Sequence, residues 1–360
     1  MKIAENYYRL GTENSFIILA KAKKLESEGK KIINLGIGQP DFLTPKHIVE
    51  AAKKALDEGH HGYTPANGTL ELRKGVCRHI KKIYGADIES ERVFIAPGGK
   101  PSIFFAIMMF GQPGIEILYP EPGFPVYESV INYSGATAVP MYLSEKKNFS
   151  FSADEVLDLI NDKTRLLIIN NPQNPTGGLI EKGEIDKLAE GLKKFPDVVV
   201  FSDEIYSRQI YDGKSMPSFF YYPELYDRLI VMDGWSKTYA MTGWRLGWSV
   251  WPKSLIENVT KMAINSYSCV TAANQVAALA ALEGPDQFIN DMMIKFDKRR
   301  NLIVDGLNSL PGIRCNKPGG AFYAFPNISE TGMTGEVFAE KCLLEAGVAI
   351  VPGTSFGKSC

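Results

Sequence analysis

Seven short, nearly continuous apolar runs, separated by stretches of helical character, constrain this chain more than any other feature. They are RVFIA (92–96), IEILY (115–119), ATAVPM (136–141), RLLIIN (165–170), VVVFS (198–202), RLIVMD (228–233) and LGWSVW (246–251). A strand with one wet face alternates apolar and polar residues, whereas a run that is apolar throughout has both faces covered. Helix-like stretches such as 101–110, 152–161 and 181–194 lie between many of the runs. The alternation predicts an α/β fold with a mostly parallel seven-stranded sheet between helices.

Two further blocks flank this core. Near the start, Phe16, Ile17, Leu19, Ala20 and Leu25 recur at roughly helical spacing with Lys21, Lys23 and Lys24 between them. Gly29 ends that helix, and KIINLGIG reads as a short strand entering a glycine turn. After the last run, 253–310 reads as a long helical region. GGAFYAF (319–325), a helix over 335–346 and a strand at VAIV (348–351) follow. The expected division is a large α/β domain over 46–285 and a smaller α+β domain made of 1–45 plus 286–360.

Charge excludes several classes of function. Forty basic residues against forty-one acidic ones leave a net charge of −1, so no basic surface awaits nucleic acid. Apolar residues at 45 % and charged residues at 22 % have the balance of a soluble protein, and no apolar stretch is long enough to span a bilayer. Lys2, Glu5 and Arg9 stand where a secretory signal needs an apolar core. Cys77, Cys269, Cys315, Cys342 and Cys360 are odd in number and lack CxxC spacing, which fits a reducing compartment; a cytoplasmic protein is expected. His47, His60, His61 and His79 have no companions at ligand spacing, so no metal site is expected.

Ligands of open parallel sheets bind at the carboxyl ends of the strands. Four such ends carry unusual polar residues here. Pro97-Gly98-Gly99-Lys100 follows the first run, Asn171 to Gly177 the fourth, Asp203-Glu204-Ile205-Tyr206 the fifth, and Trp235-Ser236-Lys237 the sixth. Taken singly each is only a turn or a cap. Together they hold what pyridoxal 5′-phosphate (PLP) chemistry needs. Lys237 would condense with the aldehyde, and Asp203 would pair with the pyridine nitrogen. Tyr206 and Asn174 suit the phenolic oxygen. Gly98, Gly99 and Lys100 at a helix start would take the phosphate, with Ser236 and the Arg245 fork. GIG at 36–38 is not a dinucleotide fingerprint, since Asp41 stands at the third glycine's place. Gly99-Lys100 is not a phosphate loop of the Walker type, since position 94 is Phe and Pro101 follows the lysine.

From about residue 15 onward the chain resembles the class I/II aminotransferases of PLP fold type I, in the aspartate and aromatic aminotransferase subgroup. The resemblance rests on Ser236-Lys237-Thr238-Tyr239-Ala240-Met241-Thr242-Gly243-Trp244-Arg245-Leu246-Gly247, on Asn170 to Gly177, and on Asp203 to Tyr206. GIGQPDF (36–42) and GYTPANGTLELR (62–73) extend it. It implies that Gly38 and Asn174 border the substrate and that Phe124 stacks on the cofactor. It also implies that Tyr63 reaches the phosphate of a neighbouring subunit, making a homodimer. The implied activity is reversible amino transfer between an amino acid and a 2-oxo acid, with pyridoxamine phosphate carrying the amino group between halves. A PLP-dependent C–S/β-lyase of the same fold is the alternative, since it too begins by removing the Cα proton. In the family, the counterpart of VAIVPGTSFG is followed by a strand bearing the arginine that clamps the substrate carboxylate, and then by a helix. Those elements amount to about 20–30 residues. They are expected to be missing here, leaving a form with impaired catalysis, and neither Arg299 nor Arg314 matches the arginine.

Overall fold

The computed structural model describes residues 1–360, the side chains of residues 14–16 excepted. All seven runs are strands of one sheet: β2 (Val93–Ala96), β3 (Glu116–Glu121), β4 (Thr137–Tyr142), β5 (Thr164–Asn170), β6 (Val199–Asp203), β7 (Leu229–Gly234) and β8 (Gly247–Val250). Before them comes the two-residue strand β1 (Ile33–Asn34), and after them β9 (Val348–Ala349). The order across the sheet is β2-β8-β7-β6-β5-β3-β4. Six strands run one way, and β8 runs antiparallel to both neighbours.

The apolar runs are continuous because their alternate residues feed two separate cores. Leu167, Ile169, Val200, Leu229 and Val231 pack into one apolar layer. Leu166, Ile168, Val199, Phe201, Ile230 and Met232 pack into the other. With a period of two, each strand serves both faces, and helices cover each. Pro140 sits in β4, the outermost strand, where a missing N–H breaks no shared ladder.

The flanking blocks meet each other. β1 pairs with β9 in parallel, through Ile33 with Val348 and Asn34 with Ala349. Ala22, Ile18 and Leu25 of the helix Asn14–Ser27 pack with Leu343 and Ala349 in a small core of their own. The inward stripe therefore runs through positions 18, 22 and 25. Ile17 is exposed, and the Phe16 side chain lies outside the described residues. A fourth apolar cluster gathers Tyr211, Met292 and Phe296 with Phe42, Phe288 and Phe322.

The expected helical region 253–310 is three helices, Ile256–Ser266, Ala272–Glu283 and Gln287–Asn308. Ser268 at φ +67° breaks the first join, and Gly284-Pro285 opens the second, since a residue before proline avoids helical backbone. No helix among the described residues is long and apolar enough to cross a membrane.

Trp251, directly after β8, is fully buried in the second layer, and its Nε1 donates to Ser249 Oγ at 2.7 Å. Replacing a buried aromatic by alanine costs about 3–5 kcal/mol. Trp251→Ala is expected to lower unfolding stability by that amount in a urea titration; a loss under about 1 kcal/mol is what an exposed position gives.

Candidate active site

The carboxyl ends of β2, β5, β6 and β7 lie on one edge of the sheet, and β8, being reversed, begins there. Gly247 at its start is paired with Ala96 on one side and Gly234 on the other. The residues just before β8 are therefore packed against those just after β2 and β7. Gly98 adopts φ +95°, and a Cβ on it would lie 2.3 Å from Arg245 Nη2. A Cβ on Gly247 would lie 2.5 Å from the Gly98 carbonyl carbon. Both positions need the missing side chain. Arg245 is itself left-handed at φ +55°, and its Nη1 donates to Thr242 O at 2.8 Å. The result is a guanidinium laid beside the Gly98-Gly99 turn that opens the helix Lys100–Phe110, with Ser236 buried nearby. Helix N-terminal N–H groups and a guanidinium together attract an anion.

Next to this anion corner stand opposite charges. Asp203, at the end of β6, is 3 % exposed, and its Oδ2 accepts from Tyr127 Oη at 2.6 Å. Burial pushes its carboxyl up to about 6, against the lowering effects of the Tyr127 hydroxyl, the Ile205 N–H and the Lys237 charge. Burial pulls the Lys237 amine down to about 8, and the positive charges of Arg245 and Lys100 add to that. Lys237 Nζ donates to the Gly38 carbonyl at 2.5 Å and lies 6.0 Å from the Tyr206 ring. A lysine of lowered pKa facing a desolvated carboxylate is a pairing that proton-transfer chemistry uses.

The family description "Aminotransferase class I and II" matches residues 30–359. This chain belongs to the class I and II aminotransferases. The aspartate aminotransferase of Pyrococcus horikoshii is 40 % identical over 344 residues, 95 % of this chain and 86 % of that one. The aromatic-amino-acid aminotransferase 2 of Thermococcus litoralis is 38 % identical, over 91 % of this chain and 85 % of that one. Among solved structures, the aspartate aminotransferase from Rhizobium meliloti superposes with a TM-score of 0.94 at 32 % identity, covering 100 % of this chain and 93 % of that chain. The chain is thus an aminotransferase, an enzyme transferring amino groups from amino acids, in a family that depends on PLP.

Most residues singled out in the aminotransferase sequence converge on this edge, and some do not. Phe124 stands beside it, half-buried, with its ring 5.5 Å from Lys100 Nζ; Lys100 also pairs with Glu13. The Asn174 backbone N–H donates to Asn170 Oδ1 at 2.8 Å, which ties the 171–177 loop to the end of β5. Tyr63 stands apart and is 93 % exposed. Arg299 is engaged by Asp41 at 2.7 and 3.0 Å, and Arg314 pairs with Glu330. No group of three His, Cys, Asp or Glu that could hold a metal occurs among the described residues.

Two tyrosines of the site went unread in the sequence. Tyr127 lies three residues after Phe124, a spacing that places both on one side of a helical turn, so it could have been found. Tyr323 hydrogen-bonds Tyr206 across 117 residues, and no local pattern announces that.

Behind Asp203 lie two more buried carboxyls, Glu204 and Asp233, neither in an ion pair among the described residues. Burial pushes them up to about 7 and about 8. Their folded values exceed their unfolded ones, so the stability they contribute is full below the unfolded values of 4.5 and 3.8 and drains as pH rises from there to the folded values. Cofactor-free protein is expected to lose urea resistance from about pH 4, where the unfolded carboxyls ionise, up to about pH 8, with a flatter decline in Asp233→Asn. Equal slopes in the two proteins would mean that Asp233 already ionises at ordinary acidity.

Proposed function

We propose that this aminotransferase holds pyridoxal 5′-phosphate across the ends of β2, β5, β6 and β7, bonded through Lys237, and exchanges amino groups between an amino acid and a 2-oxo acid. The observation that carries the reading is the lowered Lys237 amine set beside the buried Asp203 carboxylate. The residues present suit the cofactor through three different chemistries. An anion corner would take its phosphate through Gly98, Gly99, Lys100, Ser236 and Arg245. Asp203 would pair with its pyridine nitrogen, and Phe124 would stack on the ring. Asn174 and Tyr206 would face its phenolic oxygen.

Gly38 and Asn174 would border the substrate. Tyr63 would serve the site of a second copy, so the working form is a homodimer. In this reading residues 46–285 form the cofactor-binding domain, and 1–45 with 286–360 form the smaller one that brings Gly38 to Lys237. Five unpaired cysteines suit a cytoplasmic enzyme.

When bound, PLP supplies an aldehyde to hold the amino group and a ring to accept the electrons left as the Cα–H bond breaks. The protein's part is proton handling and placement. With a pKa of about 8, roughly a tenth of the Lys237 amine is neutral at pH 7, against less than about a thousandth for an ordinary lysine. Nζ takes the proton from the donor's Cα and later returns one to the acceptor's Cα. Asp203, still largely ionised at neutral pH, would hold the proton on the pyridine nitrogen. Overall, one amino acid and one 2-oxo acid exchange an amino group for an oxygen, with no net water and no external oxidant.

The donor we assign is acidic. Arg245 and Lys100 are taken up by the phosphate in this reading, so the assignment rests on the relatives, several of which are named aspartate aminotransferases. With 2-oxoglutarate as acceptor, aspartate is expected to exceed phenylalanine and alanine in kcat/KM, yielding glutamate without free ammonia. Lys237→Ala is expected to lose about 10²–10⁴-fold in rate, the worth of a positioned general base. Near-parental turnover in Lys237→Ala, or ammonia in place of glutamate, would sink the assignment, the latter in favour of a lyase.

A further inference from the structure

Tyr206 and Tyr323 face each other with their hydroxyl oxygens 2.5 Å apart and their rings at 80°, centroids 5.5 Å apart. Tyr206 follows β6 and is 2 % exposed, and Tyr323 comes from the GGAFYAF segment of the C-terminal block. Burial pushes both phenols up, so both keep their protons at neutral pH.

One hydrogen lies between two oxygens, which leaves two arrangements. Where Tyr206 donates to Tyr323, its own proton is spent. Where Tyr323 donates, the Tyr206 proton is free for another acceptor, and the incoming bond makes Tyr206 a stronger donor. A negatively charged acceptor in front of Tyr206 selects the second arrangement. The groups facing Tyr206 from the surrounding elements are Asp203, Tyr127, Tyr323 and the Lys237 amine. Tyr323 also touches the N-terminal loop, since a Cβ on Gly38 would lie 2.7 Å from its hydroxyl oxygen.

We propose that Tyr323 is a positioning residue that orients the Tyr206 hydroxyl as a donor and so helps keep the phenolic oxygen of the bound cofactor unprotonated. The proposal rests on the reading that Tyr206 faces that oxygen. It gives the C-terminal block a direct hand in the cofactor's charge, through one hydrogen bond between two loops.

The test is the pH midpoint at which the visible absorbance of the PLP-loaded protein changes, read without substrate. Tyr206→Phe is expected to raise the midpoint. Tyr323→Phe keeps the ring and is expected to raise it by about 0.3–1 unit, the size of one neutral hydrogen bond. In the double variant, Tyr323→Phe is expected to add nothing further. A shift of the same size with Tyr206 already replaced overturns the coupling. So does an unmoved midpoint with only KM changed, which would mean that Tyr323 acts through Gly38. If Tyr206→Phe itself leaves the midpoint in place, Tyr206 does not face the phenolic oxygen, and the site reading falls together with the proposal.

Discussion

The loss of water around Asp203 is the condition on which the rest of the strand-end edge depends. A carboxyl and an amine in water differ by more than six units in pKa, with ordinary values of 3.8 and 10.5. Burial disfavours the charged form of each, so it raises the acid and lowers the base. Asp203 at about 6 and Lys237 at about 8 stand only about two units apart. That compression makes both groups responsive near neutral pH. It stops short of neutralising Asp203 because Tyr127 donates to its Oδ2 and the Lys237 charge lies near.

The geometry that delivers those groups follows from one reversed strand. In a wholly parallel sheet, Arg245 would have had to enter from the opposite edge. Because β8 runs backwards between β2 and β7, its first residues emerge beside the Gly98-Gly99 turn and the Ser236-Lys237 pair. The crowding is severe enough that Gly98 and Gly247 have no room for a Cβ and Arg245 takes left-handed backbone. Left-handed backbone is unfavourable for a residue with a side chain, and the packed turn offsets it by fixing the guanidinium in place. The glycines and the strained arginine are one packing solution.

How much of this was legible in the sequence differs by element. Each apolar run became a strand, because a doubly covered strand leaves a continuous signature that a helix of that length does not. The polar strand ends were legible for the same reason, each lying next to an unmistakable run. In the first helix Leu25 was read in place, but Ile17 was named where Ile18 packs, since the two are equally apolar and only the packing of Ala22 against Leu343 and Ala349 chooses between them. The break at Ser268 had no local signal, because serine does not announce positive φ. Tyr323 was illegible for a deeper reason: its partner is set by the docking of the C-terminal block against the sheet edge, a long-range fact that periodicity does not encode. Tyr127 was within reach, since its neighbour Phe124 had already been singled out.

Why Asp203 is the first of three neighbouring carboxyls to ionise is decided by its partners. Asp203, Glu204 and Asp233 are all buried to within 5 % of complete. Glu204 Oε1 accepts from the Ser202 hydroxyl and the Phe219 N–H, and Asp233 accepts from the Ser207 hydroxyl and the Gly234 N–H. Those donors are neutral, and each carboxyl also feels its acidic neighbours, so both retain their protons to about pH 7 and about pH 8. Asp203 has the only cationic influence of the three, from Lys237. Buried like charges raise one another's pKa, so the carboxyl with the cation beside it ionises first. The charge thus forms first on Asp203, with Glu204 and Asp233 following only as pH rises through about 7 and about 8, and Lys237 and Arg245 set positive charge against it. An edge with that positive charge, opened by glycines and backed by a helix start, concentrates anionic ligands before any specific contact is made.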